Sequence, residues 1–126
     1  MIIFLYGENS YLIQKKLADI RAKFLGKYPE ADLEELFADE VEDFINIKSK
    51  LEAQSLFSSK KLLILKDAFS RQSFEFRAAL AEHIGKRDID TTLIIVENTL
   101  PDKREKLFKT LIKIAKCQEF ATLDPF

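Results

Sequence analysis

Short runs of apolar residues alternate along the chain with longer stretches in which apolar residues recur every three or four positions. The runs are typical of strands buried on both faces of a sheet, and the recurring residues are typical of amphipathic helices. The pattern predicts five strands, at residues 2–6, 33–38, 62–65, 93–96 and 119–122.

Two helices are predicted in the first half of the chain. Asn9 or Ser10 can cap the first, which ends before Gly26, and Asp39 with Glu42 resembles a capping pair for the second. Their predicted apolar faces are Ile13, Leu17, Ile20 and Phe24 for the first, and Val41, Phe44, Ile45 and Leu51, interrupted by Lys48, for the second.

Two further helices are predicted in the second half. The third spans residues 70–84, with Gly85 just past its end, and the fourth opens at Thr99 and Pro101 and runs to about Lys116. Their predicted apolar faces are Phe76, Leu80 and Ile84 for the third, and Leu107, Phe108, Leu111, Ile114 and Ala115 for the fourth.

Buried strands that alternate with helices imply right-handed βαβ crossovers. We therefore expect an α/β fold, a three-layer, mostly parallel sheet with helices on both faces. The 126 residues are 47% apolar and include eleven Phe, which suits one core, so residues 1–126 are expected to form a single domain.

Charge and composition exclude several function classes. Twenty basic and twenty-one acidic residues give a net charge of -1, so no overall field attracts nucleic acid or an anionic membrane. The single Cys117 cannot form an internal disulfide, and the sequence contains no export signal or membrane-spanning run. A cytoplasmic protein with no membrane partner is expected.

The turn after the first strand, residues 7–10, lies where a nucleotide-binding protein carries its phosphate loop. Such a loop needs several glycines, a Lys for the phosphates and a Ser or Thr for magnesium at fixed spacing. The turn has only Gly7, and Glu8 would repel a phosphate. We expect a P-loop-like topology that binds no nucleotide, and we predict no cofactor and no metal.

An adjacent Leu56 and Phe57 precede two lysines and a buried strand in the stretch AQSLFSSKKLLIL. Small polar residues flank the pair, so two bulky side chains stand in a solvated turn. The pair is either part of the core, as apolar pairs near helix ends usually are, or a docking element on a rigid scaffold.

Together with FLYGENSYLIQKKL, TLIIVENTLPDKREKLFKTL and FATLDP, this stretch resembles the amino-terminal domain of the delta subunit of the bacterial clamp loader in DNA polymerase III. The resemblance covers nearly the whole chain, and Ser55-Leu56-Phe57 is its most specific part. It implies a domain built like AAA+ ATPases but without their phosphate loop, acting in DNA replication without catalysis of its own.

The resemblance also implies the site. Leu56 and Phe57 would insert into an apolar pocket of the sliding clamp, the beta subunit, and help to open the ring for loading onto DNA. Ser55 and Gln54 would support the contact, although Gln54 is displaced by one position from the usual clamp-binding peptide pattern. Delta subunits continue into a lid and a collar that contacts other loader subunits, so the chain is expected to be a fragment that meets DNA only indirectly.

An alternative function is a magnesium-dependent phosphotransferase or nuclease. Glu8, Asp67 and Glu97 are all predicted near the carboxyl ends of parallel strands, where converging carboxylates could hold a hard cation. Acidic residues also cap helices and solvate turns, and no Lys, His or hydroxyl motif accompanies these three.

Three remaining features give weaker indications of function. His83 has no second ligand at metal-binding spacing, so packing or solvation is its expected role. Cys117 is predicted to be a small core residue. The lysines of the fourth helix are expected to form its solvated outer face, and contact with DNA phosphates is the alternative.

Overall fold

The computed structural model describes residues 1–52, 60–86 and 91–122. Its strands and helices follow one another in strict alternation after the first strand. They are β1 (Ile2–Tyr6), α1 (Ser10–Lys27), β2 (Asp32–Phe37), α2 (Phe44–Glu52), β3 (Lys61–Lys66), α3 (Phe74–Lys86), β4 (Thr92–Glu97), α4 (Lys106–Ile114) and β5 (Lys116–Glu119), with a 3-10 turn at Ala38–Glu40 between β2 and α2.

The five strands form one sheet in the order β2-β3-β4-β1-β5, and every pairing is parallel. The three central strands carry the apolar runs, which are buried on both faces of the sheet. The prediction of a parallel α/β sheet with helices on both faces is therefore confirmed.

Two hydrophobic clusters fill the space between the layers. On one face Phe4, Leu63 and Leu93 pack against α2, α3 and α4; on the other, Leu5, Ile64 and Ile94 pack against α1. The predicted faces of α1 and α3 are confirmed, since Ile13 and Leu17 of α1 and Phe76, Leu80 and Ile84 of α3 are buried. The core thus fixes the strands, and the loops connect to their amino and carboxyl ends.

The predicted start of α2 was wrong. The backbone makes a 3-10 turn at Ala38–Glu40, and Asp43, not Asp39, then caps the helix by accepting a hydrogen bond from the Asn46 backbone N–H at 3.4 Å. This rotates the helix so that Ile47 is buried and Ile45 is 67% exposed.

Three other boundaries differ from prediction. Helix α3 begins after Ser73, whose Oγ accepts from the Phe76 N–H at 3.1 Å, and it continues through Gly85. Helix α4 begins only at Lys106. Strand β5 begins earlier than predicted, at Lys116.

The expectation that Cys117 is a core residue was wrong. Cys117 lies in β5, an edge strand whose four residues are all exposed. After α4 the chain follows the edge of the sheet, and the next buried residue is Phe120. In this edge strand Cys117 stays exposed, although its Sγ donates to the Leu111 carbonyl of α4 at 3.3 Å.

Across residues 1–52, 60–86 and 91–122, the helices are too short or too polar for any of them to cross a bilayer.

Candidate functional site

The candidate residues divide between the two ends of the parallel strands. We call these ends the carboxyl edge and the amino edge of the sheet. Gly7, Glu8 and Asp67 follow strands β1 and β3, and Glu97 is the last residue of β4. The segment 53–59 instead leads into the amino end of β3. Because all strands are parallel, these acidic residues and the described start of β3 lie at opposite ends of the strands.

The turn after β1 is closed by hydrogen bonds within the chain. The Gly7 N–H points at the carbonyls of Glu97 and Thr99, each at 3.1 Å, and the Asn9 N–H donates to the Phe120 carbonyl at 3.1 Å. The Asn9 side chain accepts from the Leu12 N–H at 3.2 Å and so caps α1. The amides that would cradle a phosphate are committed to holding the edge together.

Gly7 also shows why the turn is narrow. Its φ is +135°, which L side chains rarely adopt, and a Cβ at this position would collide with the carbonyl of Phe120. The close approach of these two backbone segments leaves the space of a phosphate loop filled by protein. The geometry agrees with the expected P-loop-like topology that lacks a phosphate loop.

Glu97 is fully buried at the end of β4. Its Oε2 accepts from the Phe69 N–H at 3.0 Å, and its Oε1 accepts from the Thr99 hydroxyl at 3.1 Å. Burial raises the pKa of this carboxyl above its ordinary value, against the opposing effect of hydrogen bonds from Ser70, Phe69 and Thr99. Sequence reasoning placed Glu97 at the strand end and missed that it joins two loops.

The three acids of the magnesium alternative do not converge on one site, although Asp67 is near enough to Glu97 for its charge to raise the pKa of Glu97. Glu8 is exposed, whereas Glu97 is buried with both oxygens in use. Asp67 lies near Arg71, with 3.8 Å between its Oδ2 and Nε. In the described part of the chain, no group of three His, Cys, Asp or Glu side chains could hold a metal ion. The structure therefore gives the alternative no support.

At the amino edge, the structure describes both flanks of the predicted docking segment. Helix α2 reaches Glu52, and Leu51 just before its end is buried. The Thr91 hydroxyl, itself buried, donates to the Leu51 carbonyl at 3.3 Å. The last turn of α2 is thereby attached to the residues that lead into β4.

The other flank is held by β2 and by an aromatic ring. The Lys60 carbonyl accepts from the Asp32 N–H at 3.1 Å, and the Lys60 ammonium lies 5.1 Å from the centre of the Tyr28 ring. Lys61 donates to the Lys50 carbonyl at 3.1 Å. This last contact joins the start of β3 to the end of α2, so the two flanks are tied to each other.

Glu34 of β2 completes this arrangement. Its carboxylate lies 2.5 Å from the Lys50 ammonium and 3.8 Å from that of Lys61. Neither Glu34 nor Tyr28 was identified from the sequence as belonging to this region, because contacts between segments far apart in the chain leave no local pattern.

The predicted docking residues Gln54, Ser55, Leu56 and Phe57 lie outside the described residues. Their role in binding therefore stays a prediction. His83 stacks edge-on against Phe44, with 5.7 Å between ring centres, which agrees with the expected packing role.

The sequence model of the family described as "DNA polymerase III, delta subunit" matches residues 4–120. No curated protein matches the chain.

Among the solved structures that match the chain are two clamp-loader-related proteins. The DNA clamp loader delta protein of Bacillus subtilis is 21% identical, with a TM-score of 0.71 over 98% of this chain and 39% of that one. A DNA polymerase III gamma subunit-related protein of Thermotoga maritima is 15% identical, with a TM-score of 0.52 over 99% of this chain and 42% of that one. The chain thus spans about two fifths of the length of the solved structures that it matches.

Proposed function

The chain belongs to the DNA polymerase III delta subunit family, and from that premise we propose that it is a clamp-binding domain of a bacterial clamp loader. In this proposal Leu56 and Phe57 insert into an apolar pocket of the sliding clamp, with Ser55 and Gln54 supporting the contact. The observation that carries the proposal is the family match over residues 4–120, which includes the Ser-Leu-Phe sequence.

The described flanks support a docking role for the segment between them. A docking loop binds well when its two ends are held, because less conformational freedom is lost on binding. The hydrogen bonds from Thr91 to Leu51 and from Asp32 to Lys60 hold these ends. The contact between Lys61 and Lys50 sets the distance between them.

Burial of the two side chains in the clamp accounts for the affinity. Transfer of an exposed Leu or Phe into an apolar pocket contributes roughly 1.5 to 3 kcal/mol each. Central apolar anchors of this kind dominate many protein interfaces. Loss of both is expected to lower the affinity by about a hundredfold or more, since 1.4 kcal/mol corresponds to about a factor of ten.

The test is calorimetric titration of the sliding clamp with the wild-type chain and with the Leu56→Ala, Phe57→Ala variant. The matched control is Leu100→Ala with Phe74→Ala, which removes an exposed Leu and an exposed Phe at the opposite edge of the sheet. We expect the control to bind as the wild type does and the docking variant to lose binding while it still melts cooperatively. If the docking variant loses its cooperative melt, the pair belongs to the core and the proposal fails.

Ring opening is a separate part of the proposal. A ligand shifts the clamp toward an open ring only if it binds the open ring more tightly than the closed one. Fluorescence energy transfer between dyes on either side of one clamp interface would measure opening. Saturable loss of transfer with the wild-type chain, absent with the docking variant, is the expected result; binding without such a loss would limit the role to docking.

We further propose that residues 1–126 act as one domain and carry out no catalysis. Contacts with other loader subunits would use the additional length that the solved relatives possess. Contact with DNA through the assembled loader, and a cytoplasmic location, belong to the same proposal.

A further inference from the structure

The outermost strands of the sheet are β2 and β5, and each has one side without a neighbouring strand among the described residues. Proteins usually protect such an open side with a very short strand, with lysine or with proline. Strand β5 follows this rule, because it has four residues and begins at Lys116. Strand β2 has six residues, Asp32–Phe37, and contains neither lysine nor proline. The open side of β2 is therefore available for pairing with another strand.

Alternate residues of β2 turn their backbone groups toward this open side. The Asp32 N–H donates to the Lys60 carbonyl at 3.1 Å, so the backbone of Asp32 faces β3. Backbone groups of successive strand residues point to alternate sides, and those of Leu33, Glu35 and Phe37 therefore point away from β3. Within the described parts of the chain, no strand pairs with them. Their N–H and C=O groups form a row of donors and acceptors that a further strand can use.

On the α1 side of the sheet, β2 presents apolar side chains. Glu35 marks this side, since its carboxylate is bound to Arg21 of α1 at 2.7 Å and to Lys66 at 2.5 Å. Leu33 and Phe37 lie two residues to either side of it and so share its face. They are 38% and 39% exposed. Because Glu35 is neutralised by its two cations, a strand paired here meets a largely apolar face.

On the other face of β2 the side chains are acidic. Glu34 lies on this side, where it is bound to Lys50 of α2 at 2.5 Å. Asp32 shares the face, is exposed and forms no ion pair with the residues that the structure describes. Glu30 and Glu40, beyond the two ends of the strand, are also exposed and form no ion pair with the described residues. The unpaired negative charge favours a positively charged neighbour.

A second copy of the chain fits this strand poorly. Two β2 strands related by a twofold axis would pair antiparallel, and their outward backbone groups limit the possible registers. The registers that pair most of the strand place Glu35 opposite Glu35 or Glu34 opposite Glu34. Like charges directly opposite one another destabilise a sheet. The acidic residues thus disfavour self-pairing and favour a basic partner.

We propose that β2 binds an extended basic peptide segment as a sixth strand of the sheet, with basic and apolar residues alternating along the segment. Its apolar side chains pack on Leu33 and Phe37, and its lysines or arginines face Asp32 on the opposite side of the sheet. In such strand addition, main-chain hydrogen bonds supply affinity and the alternate side chains supply specificity. The inference goes beyond clamp docking and does not depend on Leu56 or Phe57.

The probe is a synthetic peptide of about nine residues in which valine and lysine alternate, long enough to span the six residues of β2. Nuclear magnetic resonance follows amide hydrogen exchange of the 126-residue chain with and without the peptide. The amides of Leu33, Glu35 and Phe37 should exchange more slowly in the complex, because they gain partners. Those of Glu34 and Leu36 face β3 already and should change little. This alternation distinguishes strand addition from contact with the acidic side chains alone.

Altered peptides separate backbone pairing from charge. N-methylation of the valine amides blocks one side of the peptide backbone, and N-methylation of the lysine amides blocks the other. Only one of these two peptides should lose binding, because only one side of the peptide faces β2. A peptide with glutamate in place of every lysine should not bind, since it repels Asp32. Binding of the basic peptide should weaken as salt screens the charges.

The test variant is Leu33→Pro, and its matched control is Leu33→Ala. Both remove the leucine side chain, but proline also removes an N–H that faces the open side of β2, a position at which proline is tolerated. We expect Leu33→Pro to bind the peptide about ten times more weakly than Leu33→Ala. A second variant, Asp32→Lys, keeps every backbone group and should also lose affinity, so the test does not depend on the folding of the proline variant.

Three results would overturn the inference. The first is a wild-type chain that shows no saturable binding of the basic peptide at low salt. The second is equal affinity of folded Leu33→Pro and Leu33→Ala, or binding that survives both N-methylations. The third is a concentration-dependent dimer in sedimentation that Leu33→Pro abolishes, which would assign the strand to a second copy. The Leu56→Ala, Phe57→Ala variant should bind the peptide as the wild type does, which separates this inference from the proposed function.

Discussion

Glu97→Gln tests the account of the buried carboxyl group at the end of β4. Glu97 has no exposed surface, and its pKa in the folded chain is raised above the ordinary value of 4.5, chiefly by burial. The folded protein therefore binds one more proton than the unfolded protein at pH values between the ordinary and the raised pKa. In that range the free energy of unfolding falls as pH rises, by up to about 1.4 kcal/mol per pH unit.

Glutamine removes this dependence and keeps the geometry. Its carbonyl can accept from the Phe69 N–H, and its amide can donate to the Thr99 hydroxyl oxygen, two of the partners that Glu97 has now. Below pH 4.5 the two proteins should be about equally stable. Above it the variant should become the more stable one, until the difference levels off once Glu97 is ionised in the folded chain.

Urea unfolding of both proteins across this pH range measures the difference directly. Glu8→Gln, which removes an exposed carboxylate from the same edge, controls for the loss of one negative charge. In an Asp67→Asn background, the pH range over which Glu97→Gln gains stability should be narrower, since the charge of Asp67 also raises the pKa of Glu97. A difference that stays constant with pH, or that favours the wild type as pH rises, would refute the reasoning.

Two further variants test the same edge and the β2 strand. Gly7→Ala should destabilise the chain by about 1 to 3 kcal/mol or more in urea unfolding, because alanine is strained at φ +135° and its Cβ meets Phe120; Gly26→Ala, with open space around it, should be neutral or stabilising. Glu35→Gln should change the free energy of unfolding with the opposite pH dependence to Glu97→Gln, because the hydrogen bond from Lys66 lowers the pKa of Glu35. The wild type should therefore be more stable than the variant above pH 4.5, and this extra stability should vanish as pH falls through the lowered pKa. A Glu35→Gln difference that grew on acidification would contradict this ion-pair assignment.

The sequence predicted those features that depend on local pattern. The buried strand at Ile2–Tyr6 and the buried faces of α1 and α3 follow from hydrophobic spacing alone. The start of α2 did not, because Asp39 and Asp43 are equally good caps in isolation. The choice between them depends on the side-chain amide of Gln72, which donates to the carbonyls of Ala38 and Val41 and stabilises the turn between them.

Burial at the edges of the sheet could not be predicted in the same way. Cys117 precedes the strand predicted at residues 119–122 but lies within the observed β5, and strand order decides that this strand is the outermost one. Glu97 ends an apolar run and was identified as a candidate metal ligand. Its actual partners, the Phe69 N–H and the Thr99 hydroxyl, come from loops whose approach depends on the whole sheet.

The two edges of the sheet lead to opposite expectations for their variants. In parallel α/β proteins, ligands usually bind at the carboxyl edge. Here that edge is closed by Gly7, Asn9 and the buried Glu97, whose hydrogen bonds are satisfied within the chain. If the segment 53–59 docks from the amino edge, changes at Gly7 or Glu97 should alter stability but leave the clamp affinity of the folded molecules unchanged. Changes at Leu56 and Phe57 should lower the clamp affinity and leave the stability unchanged. A loss of clamp affinity in folded Glu97→Gln would instead place the docking surface at the carboxyl edge.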